Sequence, residues 1–377
     1  MTDITQNFGQ MGVSEEQVDL LDVATNFCRE RSPVDKVRTL MTDELGFDSD
    51  IWKEIGDLGW CAIAIPEQYD GVGLSMAEVV PVMEQMGRNL MAGPFMSSTL
   101  AAQALLAGGT ESQKSELLPK IAAGAVASLA LNEKSGDWNL EHIAAKATKD
   151  GNLYKLTGMK TLVQDLPSAE FALVSVLIEG KPGLVIVNVS DISEAAIRRE
   201  NLIDETKRAY EFNLDGLTVA ADAILDMNKA TTCFAHIHLC ANLLSAAELC
   251  GGTQATIDYT IEYLNTRKQF GKLIGSYQAL KHTTVDAAVD YEKARSLLYS
   301  AAFSFNEQGR GEIATRMAKA QAVTAMSFAA DRAIQFHGGF GFTYDCDAQL
   351  YRRRAIFNAS QYGDARYHKR KLAELLF

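Results

Sequence analysis

The chain lacks most of the short signatures by which a sequence declares its chemistry. Its six cysteines (Cys28, Cys61, Cys233, Cys240, Cys250 and Cys346) include no CxxC pair. That pattern excludes a zinc ribbon or a disulfide framework and reads as buried thiols in a reducing, cytoplasmic setting. GxxxxGKS/T, HExxH and GxSxG are all absent, so a P-loop, a zincin helix and a nucleophile elbow are excluded. The stretch "HGGFGF" at 337–342 lacks the GxGxxG spacing and sits between helical segments, so no Rossmann site is expected. No apolar run reaches the 18 or so residues of a membrane span. The opening "MTDITQNFGQ" carries neither a basic nor an apolar leader, so no secretory signal is expected. Positive charge is short as well. With 36 Lys and Arg against 48 Asp and Glu, the net charge is −12, which argues against a nucleic-acid partner held through phosphates.

What is present falls into three textures. At 377 residues, 47% of them hydrophobic, the chain has enough apolar material for two or three packed units. From Ser14 to about Gly124 the pattern is helical, and "SEEQ" at 14–17 is a capping box opening "VDLLDVATNFC". Pro66, Gly71 and Gly73 break this zone between two further helices. From about Ala125 to Leu225, short runs such as "LYKLTGMKTLV", "FALVSVLI", "GLVIVNV" and "AYEFNLDGLTV" alternate with turn residues, which predicts an antiparallel β-domain. From Asn228 helices return. Residues 228–266 hold no proline and carry two apolar stripes. One is Phe234, Ile237, Ala241 and Leu244; the other is Leu239, Leu243, Ala246, Cys250, Ile257, Ile261 and Leu264. A helix apolar on two sides is central in a bundle. Further helices are predicted over 276–307, 311–336 and 345–375. The expected class is therefore α+β in three domains: helical 1–125, antiparallel β 126–227, and a four-helix bundle 228–377.

Two stretches of the last zone could hold a charged, flat ligand. In "TRKQFGKLIGSYQ", Arg267 is either a cation complementing a helix C-terminus or a planar fork of donors for a pyrophosphate. Phe270 offers an apolar face, and Gln269 and Gln278 offer neutral amides. In "QFHGG", Gln335 precedes Gly338 and Gly339, which either stop a helix or let a ligand reach bare backbone. Neither motif decides alone; their order, after a β-domain, is informative.

Together they make the chain resemble the acyl-CoA dehydrogenase family along nearly its whole length. "LGWCAIAIPEQYDGVGLSMAEVVPVMEQMGR" is similar to the family's N-terminal signature, and "LTGMKTLVQDLPSAEFALVSV" to its β-domain segment. "EYLNTRKQFGKLIGSYQALKH" and "QFHGGFGFTYDCDAQLYRRR" are similar to its two FAD motifs. The resemblance implies FAD as cofactor and an acyl-CoA thioester as substrate. It also implies an electron-transfer flavoprotein or similar acceptor. Arg267, Gln269, Phe270, Ile274 and Gln278 would bind the FAD pyrophosphate and adenosine, with Gln335, Gly338 and Gly339 as a second cluster, reaching across a dimer interface into a neighbour's FAD.

The chemistry half departs from the family. The base that removes the substrate α-proton is a glutamate at one of two family positions, and here these fall at Gln361 (or Ser360 with a one-residue shift) and at Ala241. Glu248 follows Ala241 by seven residues, roughly 10 Å along the helix, and is expected to be a paired interior carboxylate; Asp364 is a weaker candidate. The catalytic residue is thus left unassigned. "LALNEKSGDWN" keeps Glu133 but places Asn132 where the family has threonine, and Leu162 replaces an aromatic. "FNASQYGDARYHKRKLAELL" is similar to a short bacterial branch that includes heteromeric steroid-CoA dehydrogenases. The reading favoured is a subunit without its own glutamate, paired with a paralogous dehydrogenase subunit. A homo-oligomeric enzyme with a relocated base, a non-catalytic bracing subunit, and a flavin monooxygenase on the same fold are the alternatives.

Overall fold

The computed structural model describes residues 14–137 and 142–377. The leader stretch and Trp138 and Asn139 of the altered motif lie outside the described residues. Six helices come first: α1 (Glu15–Arg31), α2 (Val34–Leu40), α3 (Ser49–Asp57), α4 (Met76–Arg88), α5 (Phe95–Gly108) and α6 (Glu111–Ala122). Nine strands follow: β1 (Ala127–Ala130), β2 (Lys146–Asp150), β3 (Leu153–Thr157), β4 (Met159–Gln164), β5 (Phe171–Ile178), β6 (Lys181–Asn188), β7 (Ile197–Arg199), β8 (Ala209–Asn213) and β9 (Thr218–Ala220). Then come α7 (Ala230–Thr266), a hairpin of β10 (Lys268–Gln269) and β11 (Lys272–Leu273), α8 (Gln278–Phe303), α9 (Arg310–Phe336), α10 (Ala348–Ser360) and α11 (Ala365–Leu376). Helix, strand and helix thus succeed one another as the sequence textures do. The capping box at α1 forms in both directions, Gln17 N donating to Ser14 Oγ and Ser14 N to Gln17 Oε1, each at 3.1 Å.

The chain folds into two compact units that cut across sequence order. One gathers residues up to Thr39 with Met76–Met91 and Asn242–Phe377; the other gathers Leu40–Ser75 and Ala92–Ala241. In the first, α4 and α7 cross with backbone in contact, because Gly87 and Gly251 carry no side chain there. A Cβ on Gly251 would lie 1.8 Å from Glu84 O, and one on Gly87 2.2 Å from Glu248 O. Close to that crossing Glu84 is fully buried, accepting from Arg295 Nε and Tyr299 Oη, each at 2.7 Å. Burial of two charges is tolerated because the carboxylate is both paired and hydrogen-bonded.

In the second unit β5 is the hub, buried along nearly its whole length, as its unbroken apolar run requires. It pairs antiparallel with β6 and parallel with β1 and β2, which share its other edge; β3 and β9 extend that sheet. A separate antiparallel sheet holds β4, β8 and β7. The β-layer is therefore mixed, although antiparallel ladders dominate it. Helix α5 docks on β1 through Ala127 N donating to Ser98 Oγ at 3.1 Å.

Two sequence expectations change in detail. The predicted helix over 345–375 is two helices, parted at Gln361–Asp364, where Tyr362 (φ 57°) and Gly363 (φ 102°) leave helical space. In α7 both stripes are buried except Ile261, 38% exposed, and Leu239, half-buried. Among the described residues one helical stretch, 227–266, is long and apolar enough to cross a membrane. Its most apolar window is 78% buried within the protein, as a core helix is.

Candidate functional site

The end of α7 is where the first motif takes shape. Arg267 N donates to Tyr263 O at 2.9 Å, and Ile274 N closes back on Arg267 O at 2.9 Å, making a loop base from which β10 and β11 project. At the hairpin tip Phe270 (φ 53°) and Gly271 (φ 80°) both have positive φ, the requirement of a type I′ turn. Glycine meets it without strain; phenylalanine does not. Yet Phe270 is 90% exposed, so no packing within the chain offsets that strain. Arg267, Gln269 and Gln278 are exposed as well, while Ile274 is buried and anchors the base of the loop. A Cβ on Gly275 would meet Leu264 O at 2.7 Å, so glycine there lets the loop lie on the end of α7. Lys272 sits 4.1 Å over the Tyr277 ring, adding a second cation to this corner of an acidic chain.

The second motif ends α9. Gln335 is exposed on the last turn, and a Cβ on either Gly338 (φ 61°) or Gly339 would meet nothing within 4 Å. His337 ties the two motifs together. Its ring stacks on Tyr263 (centroids 4.1 Å) and Tyr259 (4.8 Å), both on α7. His337 Nδ1 lies 2.8 Å from Ala333 O, which sets it as the donor nitrogen. Burial pushes its pKa below the usual histidine value, so the ring is neutral at pH 7. Through this stack the fold sets 267–278 and 335–339 side by side. The corner presents a guanidinium, carboxamides, an exposed ring and bare backbone. These fit a dinucleotide with a charged pyrophosphate and flat ends.

The positions that carry the reaction in the resemblance are otherwise. Ala241 and Gln361 are buried and neutral. Glu248 is tied on both oxygens: Oε1 accepts from Arg354 Nη1 at 2.5 Å and Oε2 from Asn358 Nδ2 at 2.8 Å. Asp364 caps α11 by accepting from Tyr367 N at 2.6 Å. Each carboxylate is thus held by structure. Beside Glu248 lies a residue that sequence reading missed, Lys319, fully buried and donating to Ser245 Oγ at 2.5 Å and Asn358 O at 2.8 Å. Burial pushes its pKa down to about 7, against the pull of Glu248. A lysine among alanines and methionines on α9 is the one sequence signal that could have marked it.

Glu133, retained in the altered motif, has a fixed place in the β-layer. Its Oε1 accepts from Lys160 Nζ at 2.7 Å, and its two oxygens accept from Ala144 N and Ala145 N. Partial burial raises its pKa, but these donors outweigh burial and leave it below the usual glutamate value. Lys160, with no exposure, also donates to Ser175 Oγ at 2.9 Å. Leu162, where the family has an aromatic, takes positive φ (52°) and donates its N–H to Glu200 Oε2 at 2.7 Å.

Comparison with known proteins identifies the architecture. Residues 14–125 match the acyl-CoA dehydrogenase N-terminal domain and 216–376 its C-terminal domain. The chain is 30% identical to acyl-CoA dehydrogenase fadE12 of Mycobacterium bovis over 78% of this chain and 79% of that protein. It belongs to the acyl-CoA dehydrogenase family. Membership makes it an oxidoreductase acting on CH–CH bonds, with FAD as cofactor. Acyl-CoA dehydrogenase IpdE2 of Mycolicibacterium smegmatis is 29% identical over 97% of this chain and all of that protein. Among solved structures, the ChsE4–ChsE5 complex of Mycobacterium tuberculosis superposes at a TM-score of 0.87 with 25% identity, over 97% of this chain and 98% of that one. This acyl-CoA dehydrogenase-family chain therefore keeps the dinucleotide corner of its fold while both glutamate positions are neutral.

Proposed function

We propose that this chain is one subunit of a heteromeric dehydrogenase that introduces an α,β double bond into a CoA thioester, with the proton-removing carboxylate supplied by a paralogous subunit. One observation carries the reading. Ala241 and Gln361 stand at the two glutamate positions, and the nearby carboxylates Glu248 and Asp364 are engaged elsewhere. A carboxamide at 361 can hold a substrate group by hydrogen bonds, but it cannot take a proton from carbon. The ChsE4–ChsE5 relative is itself a complex of two chains, which supports the pairing.

In this reading Arg267 grips the pyrophosphate of FAD as a two-pronged donor. Gln269, Gln278 and Gln335 hydrogen-bond the ribityl and adenosine edges, Phe270 covers a flat face, and Gly338 and Gly339 leave the backbone bare for close approach. Ile274 holds the loop from beneath. When bound, FAD supplies the hydride acceptor. Electrons then pass to an electron-transfer flavoprotein or a similar acceptor. The six buried thiols support a cytoplasmic setting.

The test is a dye-reduction assay of the chain alone and co-expressed with a paralogue bearing glutamate at either position. General-base catalysis contributes about 10²–10⁴-fold, so the lone chain turns over acyl-CoA weakly or not at all and the pair restores turnover. Full activity of the lone chain, lost in Glu248→Gln with its fold intact, would overturn the reading in favour of a relocated base.

A further inference from the structure

Helix α8 leaves one long face without a partner inside the chain. Its outward positions His282, Val285, Val289, Glu292 and Ser296 are spaced three, four, three and four residues apart, the repeat of a coiled-coil seam. Val285 is 59% exposed and Val289 46%, each at the centre of the stripe, where a surface helix would carry polar residues. A groove of about 690 Å³ runs along the same face, walled by α8 and by Gln321 of α9.

We infer that this face is a two-fold interface on which a second copy of the chain lays its own α8 antiparallel. The charge pattern selects that occupant. Placing the two-fold between Val285 and Val289 sets Val285 against Val289 of the second copy, twice, and sets His282 against Glu292 of the second copy at either side. On the flank Asp286 then faces Lys293 of the second copy, again twice. An isologous interface requires that a surface match itself under such a rotation, and this stripe does so in both its apolar and charged positions. The same direction of packing carries the second copy's β10–β11 hairpin, which precedes α8, toward the end of α8 bearing Phe303, 68% exposed. The inference makes no use of the flavin site or of the missing base.

Sedimentation velocity of the purified full-length chain at micromolar concentration gives a dimer. Val289→Asp puts two carboxylates near the axis and weakens the dimer by at least about 100-fold. Circular dichroism of that variant is unchanged, since Val289 is exposed in the single chain. Lys293→Asp alone weakens the dimer about tenfold by facing two pairs of acids, and adding Asp286→Lys restores it. A wild-type monomer overturns the inference. So does a dimer indifferent to Val289→Asp and to the charge swap. Loss of a co-expressed paralogue in Val289→Asp, with no self-association in the wild type, assigns the face to a different chain and also overturns it. Because mass is the readout, these outcomes are independent of any failure in the dye-reduction assay.

Discussion

Arg354 Nη1 stands 2.5 Å from Glu248 Oε1 with both side chains at 2% exposure or less. The pair joins α10 to α7, and Asn358, one turn on in α10, binds the other Glu248 oxygen while its own carbonyl accepts from Lys319. A carboxylate so engaged is a structural element.

Glu248→Gln strands a buried guanidinium and should lower the unfolding free energy by about 3–5 kcal/mol, measured by urea titration. Replacing both partners, Glu248→Leu with Arg354→Leu, should recover most of that loss. A Glu248→Gln variant of unchanged stability would remove the structural assignment.

Arg267→Ala should leave the melting temperature unchanged, because the side chain is exposed, and weaken FAD binding by about tenfold or more, the scale of a charged hydrogen bond. Flavin fluorescence titration of the assembled protein measures it. Equal FAD affinity in wild type and variant would make Arg267 a helix-end cation only.

Lys319 gives a pH signature. Its folded pKa, about 7, lies below the 10.5 of an unperturbed lysine, so between those values the unfolded chain binds more protons than the folded one, and stability rises with pH. Below about pH 7 both states are protonated and the slope vanishes. Buried thiols such as Cys28 and Cys61, pushed up to about 12, contribute the opposite slope above pH 8.5 or so. The comparison is therefore wild type against Lys319→Met from pH 6.5 to 8.5. Wild type should gain stability relative to the variant across that window; parallel curves would mean that Lys319 stays charged in the fold.

Gly251→Ala should destabilise by about 1–3 kcal/mol or more, since its Cβ would fall 1.8 Å from the Glu84 carbonyl and α4 and α7 would have to separate. Gly136→Ala or Gly151→Ala, where a Cβ meets nothing, gives the control for backbone entropy and strain at positive φ. Thermal unfolding of the three variants compares them.

Local physics made much of this protein legible in one dimension. The Ser14–Gln17 capping box, the two apolar stripes of α7 and the β-branched runs of β5 and β6 follow from hydrogen bonding and side-chain period within a few residues. So does the hairpin motif at 267–278, whose glycines and arginine stand at fixed spacing, and so does the neutrality of Ala241 and Gln361. What only the tertiary structure decided involves residues far apart in the chain. No local rule places α1 and α4 with the C-terminal helices, or pairs Ala127 with Phe171 in a parallel ladder. The break at Tyr362–Gly363 rests on backbone angles that residue type permits without demanding. Glu248 reads in sequence as a carboxylate that could act. It is a tie because Arg354 and Asn358, more than a hundred residues on, reach it in an interior where an unpaired charge could not be sustained.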